Sequence, residues 1–92
     1  MPRVPSEAAA HIGRLMAARR TRLTMTQDQL AAATSIDSSN IRAYESGRSL
    51  PSIQSLVRIA EALDVEPGEL LSGITVEMFA PRAVDGRRRA NR

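Results

Sequence analysis

Arginine carries most of the chemistry available to this chain. All 13 basic residues are Arg and none is Lys, against 10 acids, for a net charge of +3. A guanidinium is a planar fork of donors suited to carboxylates and phosphates. Other reactive groups are scarce. Cys is absent, which excludes disulfides, thiolate zinc sites and Cys nucleophiles. The single His, His11, cannot build a His-rich metal site. No carboxylate pair stands beside a base, so no catalytic constellation is expected, and neither is a cofactor or a metal. Tyr44 and Phe79 are the only aromatics, too few for a base-stacking platform or a β-sandwich core.

The charge is unevenly spread. Residues 1–24 hold Arg3, Arg14, Arg19, Arg20 and Arg22 against Glu7, and residues 82–92 hold Arg82, Arg87, Arg88, Arg89 and Arg92 against Asp85. Between them lie Arg42, Arg48 and Arg58 among eight acids. The chain runs +4 (1–24), −1 (25–49), −4 (50–81) and +4 (82–92). Such asymmetry suggests one face meeting a polyanion while an acidic end points away. For 82–92 alone, a solvated terminal tail is an equal reading.

Helices must position these groups. At 92 residues the chain is one small domain. Ser6 is placed to cap a first helix reaching about Arg22, with Ile12, Leu15, Met16 and Leu23 at helical spacing. Gly13 inside it implies close packing or a solvent position. Thr26 and Gln29 form a capping box that opens a second helix ending near Thr34. Asp37 is expected to cap a third, with Ile41 and Tyr44 buried and Gly47 as its stop. Pro51 and Ser52 introduce a fourth, whose stripe reads Ile53, Leu56, Val57, Ala60 and Leu63. Pro67 opens a short fifth with Leu70 and Leu71 inward. Residues 74–79 are β-branched and alternate, which predicts a short strand with Ile74, Val76 and Met78 on one side. One strand is unstable alone, so it must pair with its own copy across a two-fold axis or remain a frayed tail. No apolar run approaches a membrane span, and Met1 to Pro5 opens no secretory signal, so the expected compartment is the cytoplasm.

Two short helices joined by a tight turn, the second rich in small polar residues, make a helix-turn-helix pattern. If Ile41 and Tyr44 pack inward, then Ser38, Ser39, Arg42, Ala43 and Ser46 face outward. Gln27 stands beside free backbone N–H groups that suit a phosphate. The alternative is an ordinary helical bundle with a polar face.

The stretch from Arg20 to Val65 resembles the Cro/C1-type helix-turn-helix family, also called the Xre family. The matching pattern is M-T-Q-x-x-L-A from Met25, then I-x-x-S-x-I-x-x-Y-E-x-G from Ile36, then P-S-x-x-x-L-x-x-I-A-x-A-L-D-V from Pro51. The resemblance implies an all-α, five-helix, lambda-repressor-like bundle over residues 6–73, followed by a C-terminal extension over 74–92, with helix 3 entering the DNA major groove. It implies that Gln27 contacts phosphate and buttresses helix 3, and that Ser38, Ser39 and Ala43 read bases. Asn40, Arg42, Ser46 and Arg48 would lie near the phosphates, and Arg20 and Glu45 would form a buried ion pair. Two positions depart from the family pattern, since Thr24 and Ser35 stand where glycine is usual. Ser38, Ser39 and Ala43 also lack a bidentate amide or guanidinium, which implies weak direct readout.

The function expected from these residues is a sequence-preferring double-stranded DNA-binding regulator of transcription, a repressor acting as a homodimer on a palindromic operator. The dimer contact would include Leu70, Leu71, Ile74, Val76 and Met78. The alternative is the antitoxin of a toxin–antitoxin pair, binding DNA and a toxin protein. An adaptor that bridges proteins with the same fold is a third class. An enzyme and a membrane partner are not expected.

Overall fold

The computed structural model describes residues 6–79, so the Arg-rich stretch 82–92 lies outside the described residues. Four α-helices occupy most of it: α1 (Glu7–Arg22), α2 (Gln27–Thr34), α3 (Ser38–Ser46) and α4 (Ile53–Ala62). Local capping explains where they start. The Ser6 hydroxyl accepts from the Ala9 N–H at 3.2 Å, and the Ser52 hydroxyl accepts from the Ser55 N–H at 3.1 Å. At α2 the box is reciprocal, with the Gln29 N–H donating to Thr26 Oγ1 and the Thr26 N–H donating to Gln29 Oε1. Gly47 ends α3 in the left-handed region, at φ 83°.

α1 and α2 both pack on α3, and α4 packs on α2. Ile12, Met16, Leu30, Ile41, Leu56, Ile59, Leu63 and Leu70 fill the centre. The α1–α3 crossing depends on Gly13, which is buried. A Cβ there would stand 2.6 Å from the Glu45 carbonyl oxygen and closer still to that of Tyr44, so only glycine lets the helices approach this far.

Several elements differ from the expectations set by periodicity. The fifth helix is a 3-10 helix, Pro67–Leu71. Its Leu70 is buried, but Leu71 is 39% exposed rather than inward. No strand forms among the described residues, and Val76–Phe79 is a 3-10 turn. Local bonds satisfy that backbone instead, from the Ile74 N–H to the Leu71 carbonyl and from the Met78 N–H to the Thr75 carbonyl. His11 Nε2 donates to the Ser72 carbonyl at 2.7 Å and ties this segment to α1. α4 is rotated from its expected stripe, because Ile59 takes the core while Ile53 is 76% exposed and Val57 also faces outward. Tyr44 is only half-buried.

Thr24 and Ser35 sit at φ 54° and 61°, the left-handed conformation that glycine would supply. For a β-branched residue this costs on the order of 1–2 kcal/mol. The Thr24 side chain is exposed and makes no hydrogen bond among the described residues that offsets the strain. Thr24→Gly is therefore expected to stabilise the fold by about 1 kcal/mol after the added flexibility of the unfolded glycine chain is counted. Thermal unfolding checks this, and Tm should rise by roughly 4–8 °C. A fall in Tm would contradict the strain.

Candidate nucleic-acid interface

Glu45, in the last turn of α3, is the acceptor shared by α1 and α2 near the helix-turn-helix. Arg20 Nε donates to Glu45 Oε2 at 2.7 Å and Arg20 Nη2 donates to Glu45 Oε1 at 2.9 Å, a two-pronged pair. The side chains are only 17% and 6% exposed. The third guanidinium nitrogen, Nη1, donates to the Met25 carbonyl at 2.8 Å. The hydrogen bond to Glu45 is the main reason the Arg20 guanidinium is held above its ordinary value; charge attraction adds to it and partial burial opposes it. Gln27 Nε2 joins the same carboxylate, donating to Oε1 at 2.9 Å. One acid thus links α1, the entrance of α2 and the end of α3. Gln27, at the first position of α2, is oriented by this bond to the helix it would buttress.

The start of α3 follows from the turn. Ser35 in the left-handed region closes α2, and the Ile36 N–H returns to the Ala31 carbonyl. The buried Thr34 hydroxyl donates to the Leu30 carbonyl at 2.8 Å, which removes a polar group that would otherwise be stranded. Asp37 is the N-cap residue of α3, but its side chain makes no capping bond, contrary to expectation. It accepts instead from the Ser39 hydroxyl at 3.2 Å.

Ser39, Asn40, Arg42, Ser46 and Arg48 are exposed, whereas Ser38 and Ala43 are half-buried on the same helix. The Ser46 hydroxyl donates to the Ala43 carbonyl, so part of its hydrogen-bonding capacity is used inside the helix. Arg42 lies along α3, with Nη2 3.4 Å from Ser38 Oγ and Nη1 3.7 Å from Asp28 Oδ1. The partnership of Asp28 with Arg42 had no signal in the sequence, because the two stand in different helices at no periodic spacing. The same holds for Arg19, whose Nε donates to the Leu63 carbonyl at 3.3 Å and closes the end of α4.

The residues expected at a dimer contact are dispersed. Leu70 is in the core, Ile74 and Met78 are half-buried, and Leu71 and Val76 are exposed. In the single chain residues 74–79 form no strand, and Val76–Phe79 is a 3-10 turn. No group of three or more His, Cys, Asp or Glu side chains is gathered as a metal site among the described residues. None of the described helices is long and apolar enough to cross a membrane.

Comparison with known proteins gives a consistent result. A family model described as helix-turn-helix matches residues 15–70. Over 55 residues, 60% of this chain, the sequence is 38% identical to the cryptic phage CTXphi transcriptional repressor RstR of Vibrio cholerae serotype O1. The match spans about half of that repressor's length, 49%. The crystal structure of the restriction-modification controller protein C.AhdI from Aeromonas hydrophila superposes with a TM-score of 0.66 at 31% identity, covering 67% of this chain and 94% of that one. The hypothetical transcription factor NHTF from Neisseria shares the fold with a TM-score of 0.67 at 21% identity, over 97% of this chain and 91% of its own.

Proposed function

Because the chain belongs to the helix-turn-helix family, we propose that it is a sequence-preferring double-stranded DNA-binding regulator of transcription, a repressor that acts as a homodimer on a palindromic operator. The observation that carries this reading is the coupling of Gln27 to the end of α3 through Glu45. It sets the entrance of α2 and the length of α3 in one rigid frame, as a phosphate anchor and a groove-reading helix require. Within it, Gln27 holds phosphate, Ser38, Ser39 and Ala43 face base edges, and Asn40, Arg42, Ser46 and Arg48 lie near the phosphate strands. The DNA-binding unit is residues 6–73. The repressor reading is preferred to an antitoxin because the curated relative is named a transcriptional repressor. A cytoplasmic location belongs to the same reading.

Dimerisation through the surface that includes Leu71 and Val76 would set two α3 helices about 34 Å apart, one turn of B-DNA. Selection of bound duplexes from a random pool tests these points together. The expected product is a palindrome with half-sites about one helical turn apart, and a motif without two-fold symmetry would contradict the dimer. On the selected duplex, about four to eight neutralised phosphates per dimer give a log–log salt slope on the order of −4 to −7. A flat salt response would contradict the DNA-binding reading itself. Ser39→Ala should alter preference at one base pair, and an unchanged motif would remove Ser39 from the reading set.

A further inference from the structure

An open groove lies between α1 and the segment that runs from the end of α4 into the 3-10 helix Pro67–Leu71. Leu15, Val65 and Leu70 give it an apolar floor, Arg19 and Arg22 stand on the α1 side, and Glu69 stands on the other. Beyond Glu69 the same segment carries Glu61, Asp64 and Glu66, which gather with Val65 around an adjoining hollow. The groove thus has a basic bank and an acidic bank. Among the described residues the ion pairs are Arg20–Glu45 and Arg42–Asp28, and neither draws on these banks. Arg22, Glu66 and Glu69 are exposed. Local bonds hold the banks apart: Arg19 Nε donates to the Leu63 carbonyl at 3.3 Å, and Glu69 Oε2 accepts from the Glu66 N–H at 3.2 Å. At about 190 Å³ the groove is smaller than the roughly 300–1,000 Å³ of small-molecule sites, so a complementary protein surface suits it better than a small ligand.

We propose that a second copy of this chain covers the groove, with the two-fold axis running along it and Arg22 of each protomer paired with the partner's Glu69. The proposal rests on the homodimer reading above and deepens it. Leu70, on the groove floor, is followed in the chain by the exposed Leu71 already assigned to the contact. A two-fold rotation about the line of the groove carries each bank onto the opposite one, so basic meets acidic twice. A surface of one sign would instead meet its own charge under the same rotation and be repelled. The neighbouring acids, which repel one another in the lone chain, gain a counter-charge. Leu15 and Val65, half-buried in the lone chain, become the apolar centre inside a charged rim. The rim pairs set the choice and orientation of the partner, and the apolar centre adds affinity.

The test follows association of the full chain by sedimentation, without DNA, for wild type, Arg22→Glu, Glu69→Arg, their equimolar mixture and the double variant. Each single reversal sets like charges together twice in the dimer, so each should raise the dimer Kd by at least about tenfold. The two reversals move net charge in opposite directions, so a loss common to both is not an effect of net charge. Both attractive pairs return when one single variant meets the other. The mixture should therefore associate as a heterodimer, and the double variant should recover the wild-type Kd to within about threefold. Glu69→Gln keeps an acceptor for the Glu66 N–H and covers any loss of fold in Glu69→Arg. Added to Arg22→Glu, it removes the repulsion and should restore affinity by about threefold or more. Wild type that stays monomeric at every concentration would overturn the homodimer reading and this proposal with it. A wild-type dimer that either reversal leaves unchanged would overturn the proposal alone. So would losses that persist in the mixture, in the double variant and after Glu69→Gln.

Discussion

Glu45→Ala is expected to lower Tm by at least about 12 °C, because its carboxylate is the shared acceptor for Arg20 and Gln27 at the α1–α3 junction. Removing it leaves the Arg20 guanidinium, only 17% exposed, without its counter-charge. Breaking one side of a buried pair costs roughly 3–5 kcal/mol. A 92-residue domain has a total stability of about 5–14 kcal/mol at roughly 0.05–0.15 kcal/mol per residue, so a substantial share is lost. Thermal unfolding followed by circular dichroism reads the effect. A Tm within about two degrees of wild type would show that the pair is not structural. Glu45→Gln keeps the shape and one acceptor, and should fall between the two.

Gly13→Ala should destabilise the protein, the opposite of what the same change does in an ordinary helix. Replacing a mid-helix glycine by alanine normally gains up to about 1 kcal/mol. Here the added methyl would meet two backbone carbonyl oxygens at the end of α3, with that of Glu45 only 2.6 Å away. Backbone cannot swing aside as a long side chain can, so α1 and α3 must separate. Overpacking of this kind costs typically 1–3 kcal/mol, and separation would also stretch the Arg20–Glu45 bonds that span the junction. The expected net result is a Tm lower by roughly 4–15 °C in a denaturation scan. A rise would show that the helices part without strain.

Features governed by neighbours along the chain were legible in the sequence alone. Ser6, Thr26 and Ser52 cap helices through bonds that reach only three residues, and the left-handed Gly47 ends α3 on local grounds. The rotation of α4 was not legible, because Ile53-Leu56-Val57 and Leu56-Ile59-Ala60 both obey helical spacing and only the packed partner chooses between them. Residues 74–79 have the composition of a strand, yet a strand needs a second one. With none nearby the chain coils into a 3-10 turn and bonds to itself. In the candidate site, the positions of Gln27, Arg20 and Glu45 came from the family pattern. The Asp28–Arg42 and Arg19–Leu63 contacts depend on tertiary geometry, which a single sequence does not record.

Ile41 and Glu45 face inward from α3, while Ser39, Arg42 and Ser46 lie exposed along its other side. If α3 reads DNA as proposed, this division uncouples the address from the scaffold over evolutionary time. A duplicated copy can replace residues on the outer side and drift to a new operator while the helix remains anchored. Surface substitutions away from packed features usually change stability by no more than about 0.5 kcal/mol, so intermediates along that path stay folded. On that proposed reading, two such paralogues could share one cell without binding each other's sites, and the same exchange offers an engineer a set of mutually orthogonal DNA-binding proteins on one backbone.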